Sequence, residues 1–212
     1  MVTCTGEKII WGGFGEEVFI ISVDGVHCRI YEPRANNPGP AHYSHKFNAA
    51  GVSYELGVAI YSSRLVWVAG PFVASKHDLT IFRGGRAEEE PKDPNALIFM
   101  IPEGKKAIGD SAYAAVSGVG AKMAVSNPND SLAVRRFKNR ARARHETING
   151  RIKSFQVLDI PYRHRQLHHA SVFEAVCVAV QYDMENGHPL FDMLHQIDDD
   201  EEAVMEEAVE VL

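Results

Sequence analysis

The chain has 212 residues, 45% of them hydrophobic and 24% charged, with a formal net charge of −6. This is an ordinary globular balance, long enough for one domain with a sizeable core, and it excludes wholesale disorder. No apolar run approaches the roughly 18–20 residues that span a bilayer, and residues 1–8 lack the basic and apolar stretches of a signal peptide. Cys4, Cys28 and Cys177 are widely spaced and form no CxxC pair. They argue against a disulfide framework and a structural zinc site, and they fit a reducing compartment.

Charge is distributed unevenly. Arg135, Arg136, Lys138, Arg140, Arg142, Arg144, Arg151 and Lys153 face a single acid, Glu146, over residues 135–153, whereas residues 198–210 are acidic with no base. The pattern predicts a polyanion-facing surface and a solvated tail. The expected organisation is one domain over residues 1–197 and an acidic C-terminal tail over 198–212, with a short helix within 201–211.

In chain order, Val18 to Val23 reads as a buried strand ending at the turn signal Asp24-Gly25. Residues 34–46 read as loop. Val52, Tyr54, Leu56, Val58 and Ile60 alternate with small or polar residues, a half-buried strand. Ser62-Ser63 is a turn, and residues 65–69 form a third strand stopped by Gly70-Pro71. Ser75 followed by Asp78 is a capping-box-like helix start. The run at 97–101 is closed by Pro102, and residues 106–110 form a short strand ending on Asp110.

Residues 117–130 read as loop. From Ser131 to Phe155 the pattern is helical, with Phe137, Ala141, Ile148, Ile152 and Phe155 on one face. Gly150 weakens that helix by about 1 kcal/mol relative to alanine. Residues 167–182 read as a second, buried helix, stopped at Gly187-His188-Pro189. The expected fold is α/β: a mixed sheet with a three-strand meander, a crossover helix and C-terminal helices. The crossover lays the later strand parallel to the first, with Asp24 and Asp110 side by side at their ends.

Carboxylates at adjacent strand ends, with a third from a nearby helix, suit hard divalent cations. A pair of such ions serves phosphodiester chemistry. Glu146 is the helical candidate, on one face with Arg135, Arg142 and Lys153. Each acid also has an ordinary structural reading: Asp24 as a turn residue, Asp110 or Asp78 as a helix cap, Glu146 as a solvated acid paired with Arg142 or Lys153. His77 reads as a surface histidine, and His164, His168 and His169 as structural or DNA-facing. Gly12-Gly13-Phe14-Gly15 lacks a phosphate-loop lysine, and no Gly-x-Ser-x-Gly elbow is present.

Val23-Asp24-Gly25-Val26-His27, then residues 70–78 (Gly-Pro-Phe-Val-Ala-Ser-Lys-His-Asp), then Gly109-Asp110-Ser111-Ala112-Tyr113, then Glu146 with Lys153, occur in that order. Over residues 18–183 this set resembles the DDE superfamily endonuclease domain of Harbinger-type transposases. Ala112 stands where the family usually has glycine. The resemblance implies an RNase H-like fold and Mg2+- or Mn2+-dependent cleavage and strand transfer of DNA. It makes Asp24 the first acid and Glu146 the last, with Asp110 or Asp78 as the middle one, Asp110 being favoured by its strand. Arg142 and Lys153 would contact phosphate. The resemblance further implies a nuclear location, no membrane partner, and room for an oligomer and for a separate DNA-binding partner protein. A catalytically silent, transposase-derived DNA- or protein-binding domain is the alternative.

Overall fold

The computed structural model describes residues 18–31, 42–44, 48–116 and 121–193. Cys4, the glycines at 12–15 and the tail at 198–212 lie outside them. Strand β1 (Val18–Arg29) is central. It pairs antiparallel with β3 (Ala49–Ala59), which pairs antiparallel with β4 (Leu65–Val73) and with the two-residue β2 (Tyr43–Ser44). On its other side β1 pairs parallel with β5 (Lys105–Ile108), which pairs parallel with β6 (Met123–Ala124). The result is a mixed six-stranded sheet.

Helices α1 (Asp78–Arg83) and α2 (Leu97–Met100) make the crossover from β4 to β5. A 3-10 helix spans Ser111–Val116. The long helix α3 (Leu132–Lys153), the short α4 (Gln156–Asp159) and helix α5 (His169–Glu185) follow.

Two layers cover the sheet because successive side chains of a strand point to opposite faces. On one face Val26 and Cys28 of β1 pack with Tyr54, Leu56 and Val58 of β3 against Ile148 and Ile152 of α3 and Phe173 of α5. On the other, Ile21 and Val23 pack against Phe82 of α1, Leu97 of α2, and Tyr113. A register shift between Phe19 and Ile21 turns Phe19 to the first side, where it meets Phe137 of α3.

The order of strands and the parallel neighbour of β1 agree with the sequence reading, but several boundaries do not. Asp24-Gly25 does not end β1, which continues to Arg29 with Gly25 opposite Glu55. Pairing with β3 holds the backbone extended where an isolated Asp-Gly would turn. Gly70-Pro71 does not stop β4; Gly70 takes a φ of 135° and the register with β3 shifts between Ser53 and Glu55. β3 is buried on both faces rather than half-buried, since α3 and α5 cover one and the α1 layer the other. Tyr43–Ser44, inside the expected loop, pairs with β3.

Ser75 does not cap α1; His77 occupies the cap position, with no side-chain bond, and Asp78 is the first helical residue. Gly150 does not interrupt α3, whose start is capped by Ser131 Oγ accepting from Val134 N–H at 3.3 Å. Phe155 is not on the buried stripe: α3 ends at Lys153, so Phe155 lies beyond its period and is 38% exposed.

The two ends of that stripe make a test. Ile148 is fully buried, so Ile148→Ala is expected to cost about 2–5 kcal/mol. Phe155→Ala is expected to cost less, about 1–2 kcal/mol, since more than a third of its surface stays in water after folding. Urea unfolding of both variants measures the contrast; equal losses would place Phe155 in the core.

Candidate active site

The sheet places the acids by register. Ser22 of β1 lies opposite Ile108 of β5 in the parallel pair. Asp110 lies two residues past the end of β5, and Asp24 lies two residues beyond Ser22 within β1, on the same side as Ser22 by the strand period. That side carries α3. Ser22 Oγ is 3.0 Å from His145 Nδ1 of α3 in a buried hydrogen bond. One helical turn later, Asn149 Nδ2 donates to Asp24 Oδ2 at 2.9 Å. Asp24 Oδ1 accepts the Gly25 backbone N–H at 2.8 Å. Asp24 is therefore held at both oxygens. Asp110 Oδ1 accepts from Ala112 N–H at 2.8 Å, which starts the 3-10 helix.

Glu146 does not reach Asp24 in the same way. His145 and Asn149, four residues apart, share the side of α3 that faces β1. Glu146 lies about 100° round from His145 and is exposed. Among the described residues no ion pair joins Glu146 to Arg142. Among the described residues no three His, Cys, Asp or Glu side chains stand close enough to share one metal ion.

The basic segment is also more divided than its sequence suggests. Lys138 pairs with Asp130 at 2.9 Å, Arg140 donates to Asp192 O, and Arg151 pairs with Asp183 at 3.5 Å. Arg144 is buried and donates to the carbonyls of Ala59, Ile60 and Ser62. Arg135, Arg142 and Lys153 remain on the side that carries Glu146 and borders Asn149, by the helical period.

Asp78 approaches from the opposite layer. A Cβ on Gly25 would lie 2.4 Å from Asp78 Oδ1, so this carboxylate occupies the space that any other residue at position 25 would fill. Beside it is an acid the sequence reading passed over. Glu55, 2% exposed, lies opposite Gly25 on β3 and accepts from Trp67 Nε1 at 2.8 Å. Its signal was present: it is the sole charged residue in the run 49–60. Tyr113 is fully buried, and its hydroxyl pKa is raised by burial and by the charges of Asp78, Glu55, Asp24 and Asp110. All four acids thus act electrostatically on one hydroxyl.

The remaining candidates are structural. His169 is buried, bonds Tyr54 Oη at 2.8 Å, and meets the edge of Tyr162. His164 stacks edge-on against Tyr162, and His77 is exposed. Cys28 and Cys177 are free, and burial pushes both thiols up to about 12.

Two buried groups set opposing pH slopes. Burial, reinforced by the Asp78 charge, raises Glu55 from 4.5 to about 7. As pH rises between those values the unfolded chain loses a proton that the fold retains, so stability falls, by about 3 kcal/mol in all. Burial lowers His145 from 6.5 to about 4, so stability falls by about 3 kcal/mol as pH drops across that interval. The two largely cancel where they overlap. Glu55→Gln is expected to be more stable than wild type at pH 8 and indistinguishable from it near pH 4. Thermal melts in chelator across this range measure the difference; equal stability at pH 8 would mean that Glu55 is ionised without cost.

No curated protein and no solved structure matches the chain. No helix among the described residues is long and apolar enough to cross a membrane. The family model described as DDE superfamily endonuclease matches residues 23–181. That stretch begins one residue before Asp24, ends within α5, and takes in Asp78, Asp110 and Glu146. The chain belongs to the DDE superfamily endonuclease family.

Proposed function

We propose that this chain is a Harbinger-type transposase domain with an RNase H-like fold, a divalent-metal-dependent nuclease that cleaves and joins DNA phosphodiesters. The observation that supports the reading is the parallel β1–β5 pair: Asp24 follows its last paired residue by two within β1, where it bonds Asn149 of α3, and Asp110 follows by two after β5. The antiparallel meander β1–β3–β4, with a parallel fourth strand beside β1, supports the fold assignment.

Asp24, Asp110 and Glu146 are the proposed acids. Asp110 is preferred to Asp78 as the middle one because it directly follows the strand that lies parallel to β1. The donor chemistry fits a hard cation: Asp24 is oriented by Asn149, and the second oxygen of Asp110 accepts no hydrogen bond from the described residues. Such ions, when bound, activate the attacking oxygen and stabilise the leaving one. Asn149 fixes the Asp24 carboxylate, and Glu146 completes the set through its side-chain conformers. Arg142 and Lys153 hold backbone phosphate on the same helix side, adding salt-dependent affinity without sequence selection. A DNA substrate makes the nucleus the proposed location. A separate DNA-binding protein partner, or a second copy, would supply target choice.

The second reading, a DNA-binding domain without catalysis, is favoured by one observation: the acids do not stand as a three-ligand group among the described residues. Cleavage of supercoiled plasmid with Mn2+ separates the two. The nuclease reading expects nicking that falls at least about a hundredfold in Asp24→Asn, Asp110→Asn and Glu146→Gln. DNA binding that persists in chelator, with no nicking by the wild type in Mn2+, would establish the second reading. In either case Arg142→Ala is expected to reduce the salt dependence of DNA binding by about one phosphate contact.

A further inference from the structure

The last described residues are pinned to α3. Leu190 N–H donates to Ser63 Oγ at 2.8 Å. Arg140 Nε and Nη2 donate to the Asp192 carbonyl at 3.1 and 2.7 Å, and the Arg140 guanidinium lies 4.5 Å from the centre of the Phe191 ring. Met193 is 1% exposed and packs with Phe137 and Ala141 of α3. Five residues further on, the run 198–210 carries eight acids and no base. The acidic run is therefore tethered beside the most basic helix of the chain.

That helix has cations within reach of it. Arg142 makes no ion pair among the described residues. Arg135 acts on Asp130, but its Nε is buried with no hydrogen-bond partner among them. Arg140 and Arg142 are about 200° apart round the helix, so the tether and the Arg135–Arg142 side are separated by the outer face, where Arg136 is exposed. Crossing a helix of about 10–12 Å diameter takes about 15 Å of chain, and the five residues from Met193 to Asp198 span up to about 17 Å. A segment on so short a linker meets its surface at a millimolar effective concentration, in order of magnitude. The opposing charge on the segment 135–153 is Glu146 alone.

We propose that residues 198–210 dock in cis on the outer side of α3, across Arg135, Arg136 and Arg142, as an internal polyanion that a DNA backbone must displace. The carboxylates of the run and the phosphates of DNA compete for the same guanidinium groups. DNA that displaces the run releases fewer counterions than DNA that meets a bare basic surface, so the run also flattens the salt dependence of binding. That the competitor is DNA rests on the reading proposed above; the docking itself does not.

The test compares the full chain with a full-length variant in which every acid of 198–210 is changed to its amide. A fluorescent peptide of residues 194–212 is titrated with each at low ionic strength and followed by anisotropy. The expected result is saturable binding to the neutralised chain, and binding at least about tenfold weaker to the wild type, whose own run occupies the surface. Adding Arg135→Gln and Arg142→Gln to the neutralised chain is expected to weaken the peptide about fivefold or more. Arg142→Gln alone gives the same readout should the pair fail to fold. Equal peptide affinity for the two chains overturns the docking, as does peptide binding that the arginine substitutions leave unchanged, or no peptide binding to the neutralised chain. Duplex DNA is expected to bind the neutralised chain about tenfold or more tightly than the wild type, with the gap narrowing as salt rises. Equal DNA affinity overturns the competition. If neither chain binds DNA while the peptide result holds, the nucleic-acid reading fails and the docking stands.

Discussion

Successive residues of β1 point to opposite sides of the sheet, and both sides are covered, so this strand has no solvent face to absorb an error in register. Ser22 and Asp24 turn to α3, where they meet His145 and Asn149. Ile21 and Val23 turn to the α1 layer, and at Gly25 that layer receives a carboxylate from Asp78 in place of a side chain. Shifting β1 by one residue would send Asp24 into the apolar packing around Phe82 and Tyr113 and set Val23 against Asn149. The core and the acidic region are thus specified by the same alternation.

This alternation bears on which acid accompanies Asp24. Asp78 and Asp110 both act electrostatically on the Tyr113 hydroxyl, so proximity alone does not separate them. Asp110 follows two residues after the strand that lies parallel to β1, while Asp78 enters from the α1 layer through the gap at Gly25. The Asp-Gly pair therefore serves both layers: its aspartate faces α3, and its glycine makes room for an acid from α1. A methyl group at position 25 would push against the Asp78 carboxylate while leaving Asp24 in place.

Much of this was legible in the sequence. Apolar alternation gave the meander, the intervening helical signal gave the crossover, and the 3.6-residue period gave α3 through Ile148 and Ile152. What could not be read depended on neighbours distant in the chain. Asp24-Gly25 and Gly70-Pro71 are turn signals locally, and only pairing with β3 keeps both extended. Ser75 resembles a cap, yet α1 begins at Asp78 because packing of Ile81 and Phe82 fixes the helix. Glu55 was missed because its place in an alternating strand reads as solvent-facing, although no other charge interrupts that run. The basic segment was read as one surface, but Lys138, Arg140, Arg144 and Arg151 are engaged within the protein. The acids Asp24 and Asp110 were found from strand ends, whereas Asn149 gave no signal, since asparagine on a helix is ordinarily only polar surface.

Arg144 separates two kinds of electrostatics on one helix. Its guanidinium is buried and held by the carbonyl oxygens of Ala59, Ile60 and Ser62, at the turn between β3 and β4. These are dipoles fixed in the backbone and shielded from mobile ions. Partly exposed charges on the same helix, such as Arg142, are screened by dissolved salt far more than a buried one. Ionic strength that screens the outer side of α3 would therefore leave its anchorage to the sheet nearly unaffected. Asn149 thus keeps its register with Asp24 across a wide range of ionic strength.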